Sequence, residues 1–283
     1  MSGGAQLRCF MNLLALNSLS PHSSGPHGTF QQRLETVREA GFTGVQFAEP
    51  ATSEDLAICR ALNLGIAASG RINVPAEAAA FAEQAAGEGF EAATLHVGWG
   101  LEDDTEAFRL IDSVLNASSR WSIPLYLETH RATIFQDMWR TVHFARHFTD
   151  VRFNGDFSHW YAGQEMVYGG FDKKFAFIQP VLERVRFLHG RIASPGCIQV
   201  AIEHHPTQQP PYVDHFRQLW TASFRGFLRS SRPGDSICFT PELLAPDIYY
   251  ARTFLQAEES DRWQQSLLLK EIAEQCFLCA QSC

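Results

Sequence analysis

A chain of 283 residues with 45% hydrophobic content can bury one large core, which excludes a disordered or fibrous protein. Lys and Arg number 23 against 31 Asp and Glu, and the formal charge of -8 without a basic cluster argues against a nucleic-acid partner. The longest apolar run is a handful of residues, and Met1 to Leu7 offers no basic region ahead of a hydrophobic segment; no membrane partner and a cytoplasmic location are therefore expected.

Turn and breaker residues divide the chain into short apolar runs, each followed by a stretch with helical spacing. Leu7 to Leu13 is followed by Phe30 to Ala40, which Gly41 would stop, and Gly44 to Ala48 by Ser53 to Leu62, where Ser53 precedes two acids. Gly65 to Ser69 leads to Pro75 to Gly87, with Gly87 as the expected helix stop, and Ala92 to Val97 leads to Thr105 to Ser118. The second half repeats the alternation: Pro124 to Glu128 with Ile134 to His147, and Val151 to Asp156 with Lys173 to Leu182. Arg186 to Gly190 with Val213 to Leu228, and Ser236 to Pro241 with Asp261 to Phe277, complete it. Strand followed by helix eight times predicts a single-domain α/β protein, a (β/α)8 TIM barrel, whose buried strands read as apolar runs. An open doubly wound sheet is the weaker expectation, because no Gly-x-Gly-x-x-Gly follows the first strand.

Cysteine usage supports a reducing compartment. Cys9, Cys59, Cys197 and Cys238 each stand alone in apolar surroundings and read as buried thiols. Cys276, Cys279 and Cys283 would place three sulfurs near one helical face, but without the paired knuckles of a structural zinc site a frayed tail is expected.

Chemistry in such a barrel sits at the carboxyl ends of the strands. The fifth run ends on Glu128, the sixth on Asp156 and the eighth on Glu242, while the seventh carries His189. Three carboxylates and one imidazole meeting at one barrel mouth repel unless a cation lies between them. An oxygen-rich set with one nitrogen suits one divalent ion, Mn²⁺, Mg²⁺ or Co²⁺, with Zn²⁺ as a further option. Trp160 adjoins His159 and offers a ring that could stack on a sugar face, and His96, Glu49, His130 and Arg131 are further candidates for the mouth. The segment from Ile192 to Tyr212, with Gln199, Glu203, His204, His205, Pro210 and Pro211, is long for a barrel loop and is expected to act as a lid.

The four strand ends resemble the xylose isomerase-like TIM-barrel superfamily, the sugar-phosphate isomerases and epimerases related to tagatose and psicose 3-epimerases. The resemblance covers nearly the whole chain in layout, with its specific motifs in the second half. It implies metal ligands at Glu128, Asp156, His189 and Glu242, and a His three residues after the Asp and an Arg two after the His, met here by His159 and Arg191. It further implies that Glu128 and Glu242 serve as the acid and base, that His159 and Arg191 bind substrate oxygens, and that an enediolate forms next to a carbonyl. The function implied is a divalent-metal-dependent isomerase or epimerase of a keto-sugar or related polyol, a small-molecule carbohydrate partner, with room for a homo-oligomer. A metal-dependent lyase or dehydratase acting on a keto-glycoside, keto-inositol or dehydroshikimate-like substrate resembles the family equally well. The several-zinc apurinic endonucleases of the same superfamily fit poorly, because the chain is acidic and aligns one strand-end His in its second half.

Overall fold

The computed structural model describes residues 4–202, 209–255 and 257–282. Eight parallel strands close into a barrel in chain order. They are β1 (Gln6–Asn12), β2 (Gly44–Phe47), β3 (Gly65–Ile72), β4 (Ala92–Val97), β5 (Leu125–Glu128), β6 (Phe153–Asn154), β7 (Val185–Gly190) and β8 (Ser236–Pro241). Closure comes from β1, which pairs with β2 through Phe10 and Gly44 and with β8 through Gln6 and Ser236. A separate hairpin, β9 (Thr253–Phe254) with β10 (Ala257–Glu258), follows the barrel. The helices are α1 (Phe30–Glu39), α2 (Ser53–Ala61), α3 (Pro75–Glu88), α4 (Asp104–Trp121) and α5 (Met138–His147). After them come α6 (Ser158–Gly163), α7 (Phe171–Phe177), α8 (Gln179–Leu182), α9 (Pro211–Leu228) and α10 (Arg262–Gln281). No helix among the described residues is long and apolar enough to cross a membrane.

Two cores hold this arrangement. The larger lies between the barrel and its helices, where apolar faces such as Leu110, Ile111 and Val114 of α4 meet the outward side chains of the strands. The smaller fills the barrel and consists of Phe10, Ala67 and Phe187 with Tyr126 and Cys238. Side chains two apart on a strand share a face, so the layer above Phe10, Tyr126 and Phe187 is formed by Asn12, Glu128 and His189. A packed apolar floor thus lies directly under a polar one. Gly44 makes room for the floor, since a Cβ there would come within 2.5 Å of the Phe10 ring.

The expected elements differ from the observed ones mostly at their ends. α2 begins at Ser53 as expected and ends one residue early, and the Thr52 side chain caps it by accepting from the Asp55 N–H. Gly87 lies inside α3, and the helix stops at Gly89, whose φ of 81° is left-handed and suits a residue without Cβ. The sixth strand shrinks from Val151–Asp156 to two residues with a register shift against β7, which frees Asp156 from the ladder. The single helix expected over 173–182 is broken into α7 and α8, with α6 forming earlier from Ser158. The cysteine tail is not frayed through 281: α10 continues to Gln281, with Cys276 buried and Cys279 exposed, while Cys283 lies outside the described residues.

The segment after β7 is anchored through residue 202. The Gln199 amide exchanges two hydrogen bonds with Leu244, at 3.0 and 2.9 Å, and the Ile202 backbone exchanges two with the Gln265 amide. Glu203, His204 and His205, on which the lid expectation partly rests, lie outside the described residues.

Candidate metal centre

β5, β7 and β8 deliver Glu128, His189 and Glu242 to the mouth at or just past their ends, and the turn after β6 delivers Asp156. One donor atom from each of these four residues lies within 4.8 Å of the others. Glu128, Asp156 and His189 are buried, whereas the Glu242 side chain keeps 13% exposure, so the group opens to solvent on the Glu242 side. Glu128 Oε2 accepts a 2.9 Å hydrogen bond from Asn154 Nδ2, and Oε1 lies 3.2 Å from His96 Nε2. Asp156 Oδ1 accepts from the backbone N–H of Ser158 and from its hydroxyl, and Oδ2 pairs with Arg191.

The imidazole of His189 tests whether a cation fits. Its Nε2 lies 3.0 Å from Gln46 Oε1, an oxygen that only accepts, so this nitrogen carries the proton. Its Nδ1 is buried and makes no hydrogen bond, although Glu128 Oε2 and Glu242 Oε1 stand 3.2 and 3.4 Å away. A buried ring nitrogen aimed between two carboxylates without bonding either is the disposition of a ligand to a cation between them. The charges agree: one guanidinium, Arg191, and one divalent ion would balance the three carboxylates.

The electrostatics follow from burial and close neighbours. Burial pushes the Glu128 carboxyl up, but His96 and His189 together hold it well below the usual carboxylate range. Burial likewise opposes ionisation of Asp156, and Arg191 with His159 overcomes it and holds the carboxyl low. Burial alone would discharge His189, yet Glu242 and Glu128 raise it to about 10. At neutral pH a divalent ion must therefore displace a proton from Nδ1. Apparent Mn²⁺ affinity is expected to rise about tenfold per pH unit between about pH 7 and pH 9, with about one proton released per ion bound. Calorimetry in two buffers of different ionisation enthalpy measures both, and pH-independent binding would contradict the assignment of His189. For the metal-free protein the sign reverses: a raised imidazole stabilises the fold below its ordinary value of 6.5, and that contribution fades as the pH climbs towards about 10.

Around this group the expected substrate contacts are unequal. His96 is partly exposed and bonded to Glu128. His159 is buried 3.3 Å from Asp156 Oδ2, and His130 lies between His159 and His96 with tilted rings whose centres are 3.8 and 4.0 Å away. Burial, with His159 adding to it, pushes His130 down to about 2 and keeps it neutral. Arg191 was expected to bind substrate, but its donors go to protein: Nε to Ser158 Oγ at 3.0 Å, and Nη2 to Asp156, to His159 at 3.1 Å and to Glu242 at 3.1 Å. The stacking expected of Trp160 is not open to it, since its ring is fully buried and Nε1 donates to the Phe135 carbonyl at 2.9 Å. Glu49 lies beside a separate cleft with Leu13, Phe30 and Asp55.

Tyr250, which the sequence did not single out, covers the site: its ring lies 4.8 Å above the Arg191 guanidinium and 5.2 Å from that of Arg131. Gln46, Asn12 and Asn154 were missed as well. Their signal was present, because an amide inside an otherwise apolar buried strand has to be bonded to something. A second group, His96, Glu128 and His130, also gathers potential ligand atoms. There Arg71 Nη2 donates to His96 Nδ1 at 3.4 Å, which leaves His96 Nε2 as the N–H that bonds Glu128 and without a lone pair for a cation.

No family model and no curated protein matches the chain. Among solved structures it is similar to a xylose isomerase domain protein from Planctomyces limnophilus, with TM-score 0.56 and 15% identity over 98% of this chain and 99% of that one. It is equally similar to a protein described as the probable 3-DHS dehydratase AsbF, involved in petrobactin synthesis, from Bacillus anthracis. That match has TM-score 0.56 and 13% identity over 86% of this chain and 94% of that one. These likenesses show a shared parallel eight-stranded barrel fold.

Proposed function

We propose that the protein is a divalent-metal-dependent isomerase or epimerase that moves a carbon-bound proton next to the carbonyl of a keto-sugar or related polyol. The observation that carries this reading is the His189 Nδ1, buried and unbonded 3.2 Å from Glu128 and 3.4 Å from Glu242. Glu128, Asp156, His189 and Glu242 would hold the ion, and a mostly oxygen donor set favours Mn²⁺, Mg²⁺ or Co²⁺. The ion supplies positive charge beside the substrate oxygens, where negative charge grows as the proton leaves carbon.

The chain's own groups divide the remaining work. Glu242, the member of the set open to solvent, takes the proton from carbon. Glu128, oriented by Asn154 and His96, lies deeper in the barrel and acts as the acid of the pair on the opposite side, returning to carbon a proton that it first takes up from water. Arg191, buried between Asp156 and Glu242, holds both carboxylates in place, and Tyr250 closes over it to limit water. His96, partly exposed, faces the substrate, while His159, buried against Asp156, Arg191 and His130, acts from behind them. A lyase or dehydratase is the second reading, supported by the fold shared with the protein described as a dehydratase. An intermediate with a leaving group on the neighbouring carbon would expel it rather than be reprotonated.

Proton exchange tests the proposal. The Mn²⁺-loaded protein, incubated in D₂O with ketoses, keto-glycosides and keto-inositols, is expected to place deuterium on carbon in a recovered substrate or its epimer, read by NMR. Release of water or of an aglycone would move the reaction to the lyase. Absence of any exchange across the panel would sink the proton-transfer reading.

A further inference from the structure

Resting on the reading of His189 as a metal ligand, we propose that Asn12 and Gln46 are positioning residues that fix which ring nitrogen His189 presents to the ion. The chain of hydrogen bonds starts at a group that cannot change its role. The Leu14 backbone N–H only donates, and it lies 2.9 Å from Asn12 Oδ1. That sets the Asn12 amide with Nδ2 as the donor towards Gln46 Oε1, 3.2 Å away. The other end of the Gln46 amide agrees, since Nε2 donates to Thr94 Oγ1 at 2.9 Å. Gln46 Oε1 therefore accepts, and the His189 Nε2 at 3.0 Å is the N–H.

Once one proton has left the ring, two forces compete for the one that remains. On one side Glu128 and Glu242 stand 3.2 and 3.4 Å from Nδ1 and draw a proton to that atom, where it blocks the lone pair that the ion needs. On the other side the Gln46 oxygen holds the proton on Nε2. Asn12, Gln46, Thr94 and His189 are all buried, so water does not replace a missing partner. They come from β1, β2, β4 and β7 and meet only inside the closed barrel. Gln46 Oε1 faces the Asn12 amide and His189 Nε2, and Asn12 Oδ1 faces the Leu14 N–H, so the relay reaches the ion through the His189 ring.

Calorimetric titration of the full chain with Mn²⁺ alone tests the relay. Gln46→Leu removes the acceptor at similar volume and is expected to weaken Mn²⁺ binding about 10- to 100-fold. Gln46→Glu keeps an acceptor and is expected to bind Mn²⁺ at least as well as the wild type, a rescue that a purely packing role would not give. Asn12→Asp turns the donor into an acceptor, so Gln46 flips to give it an N–H, faces His189 with the same nitrogen, and Mn²⁺ affinity is expected to fall at least about tenfold. If Gln46→Leu does not fold, Asn12→Asp decides. For the wild type loaded with Mg²⁺, ¹⁵N NMR is expected to show His189 Nε2 protonated and Nδ1 bare, and the reverse would overturn the relay without any variant. Asp156→Asn separates the two levels. Loss of Mn²⁺ in Asp156→Asn with wild-type affinity in Gln46→Leu keeps the metal centre and refutes the relay, whereas full affinity in Asp156→Asn removes the metal reading and the relay together.

Discussion

Glu242→Gln is expected to reduce turnover by about 10³-fold or more, because the substitution removes a base and a charge with almost no change of shape. The side chain stands where three demands meet. Oε1 lies 3.4 Å from His189 Nδ1, Oε2 lies 3.1 Å from the Arg191 guanidinium, and the 13% exposure gives substrate its approach. The position is set by the backbone, since the Glu242 N–H donates to the Gly190 carbonyl at 3.2 Å and carries the β7 and β8 pairing one residue past the ladder. An amide cannot take a proton from carbon, and its NH₂ would turn a donor towards either Arg191 or the ring nitrogen of His189. Mn²⁺ affinity should fall as well, because one negative ligand is lost from a site that balances three. The check is deuterium incorporation at saturating Mn²⁺, so that weaker loading does not masquerade as lost chemistry. Turnover within a few fold of wild type would remove Glu242 from the reaction.

Arg262→Leu is expected to destabilise the fold by roughly 3–5 kcal/mol, the cost of breaking a buried ion pair from one side. Arg262 is 1% exposed at the start of α10. Its Nε bonds Glu258 Oε1 at 2.7 Å, and its two terminal nitrogens donate to the carbonyls of Leu14, Ala15, Asn17 and Ser18. These carbonyls belong to the short helical turn that follows β1 and to the two residues just after it, so one guanidinium ties the first βα loop to the last helix and to the hairpin of β9 and β10. Leucine leaves the Glu258 carboxylate without its cation and four carbonyls without this donor. Urea unfolding followed by circular dichroism measures the loss. Adding Glu258→Gln to Arg262→Leu should recover part of it, since the second change removes the stranded charge. A single variant as stable as the wild type would show that water or another donor serves those carbonyls.

The alternation of buried apolar runs and amphipathic stretches was enough for the barrel, because parallel strands covered on both sides must be apolar and their helices must have one apolar face. Ala92–Val97 and Ser236–Pro241 match the expected runs residue for residue. Boundaries went astray where local signals compete. Gly87 reads as a helix stop, but Gly89 is the residue that adopts the left-handed conformation ending α3. Likewise the apolar sequence around Val151 reads as a strand, although only Phe153 and Asn154 find partners on β5 and β7.

For the site, the sequence by itself determined which acids and which imidazole end strands five to eight, because strand order in a barrel is chain order and polar residues at strand ends need no long-range information to be noticed. It could not determine what those groups touch. That Gln46 and Asn12 reach His189, that Arg191 spends its donors on Asp156 and Glu242, and that Trp160 turns into the core were decided by closure of the barrel, which brings together strands far apart in the chain. Side-chain direction at a given spot depends on the register of neighbouring strands and on the layer packed beneath, here Phe10, Tyr126 and Phe187. Those are properties of the folded barrel, and no single segment carries them.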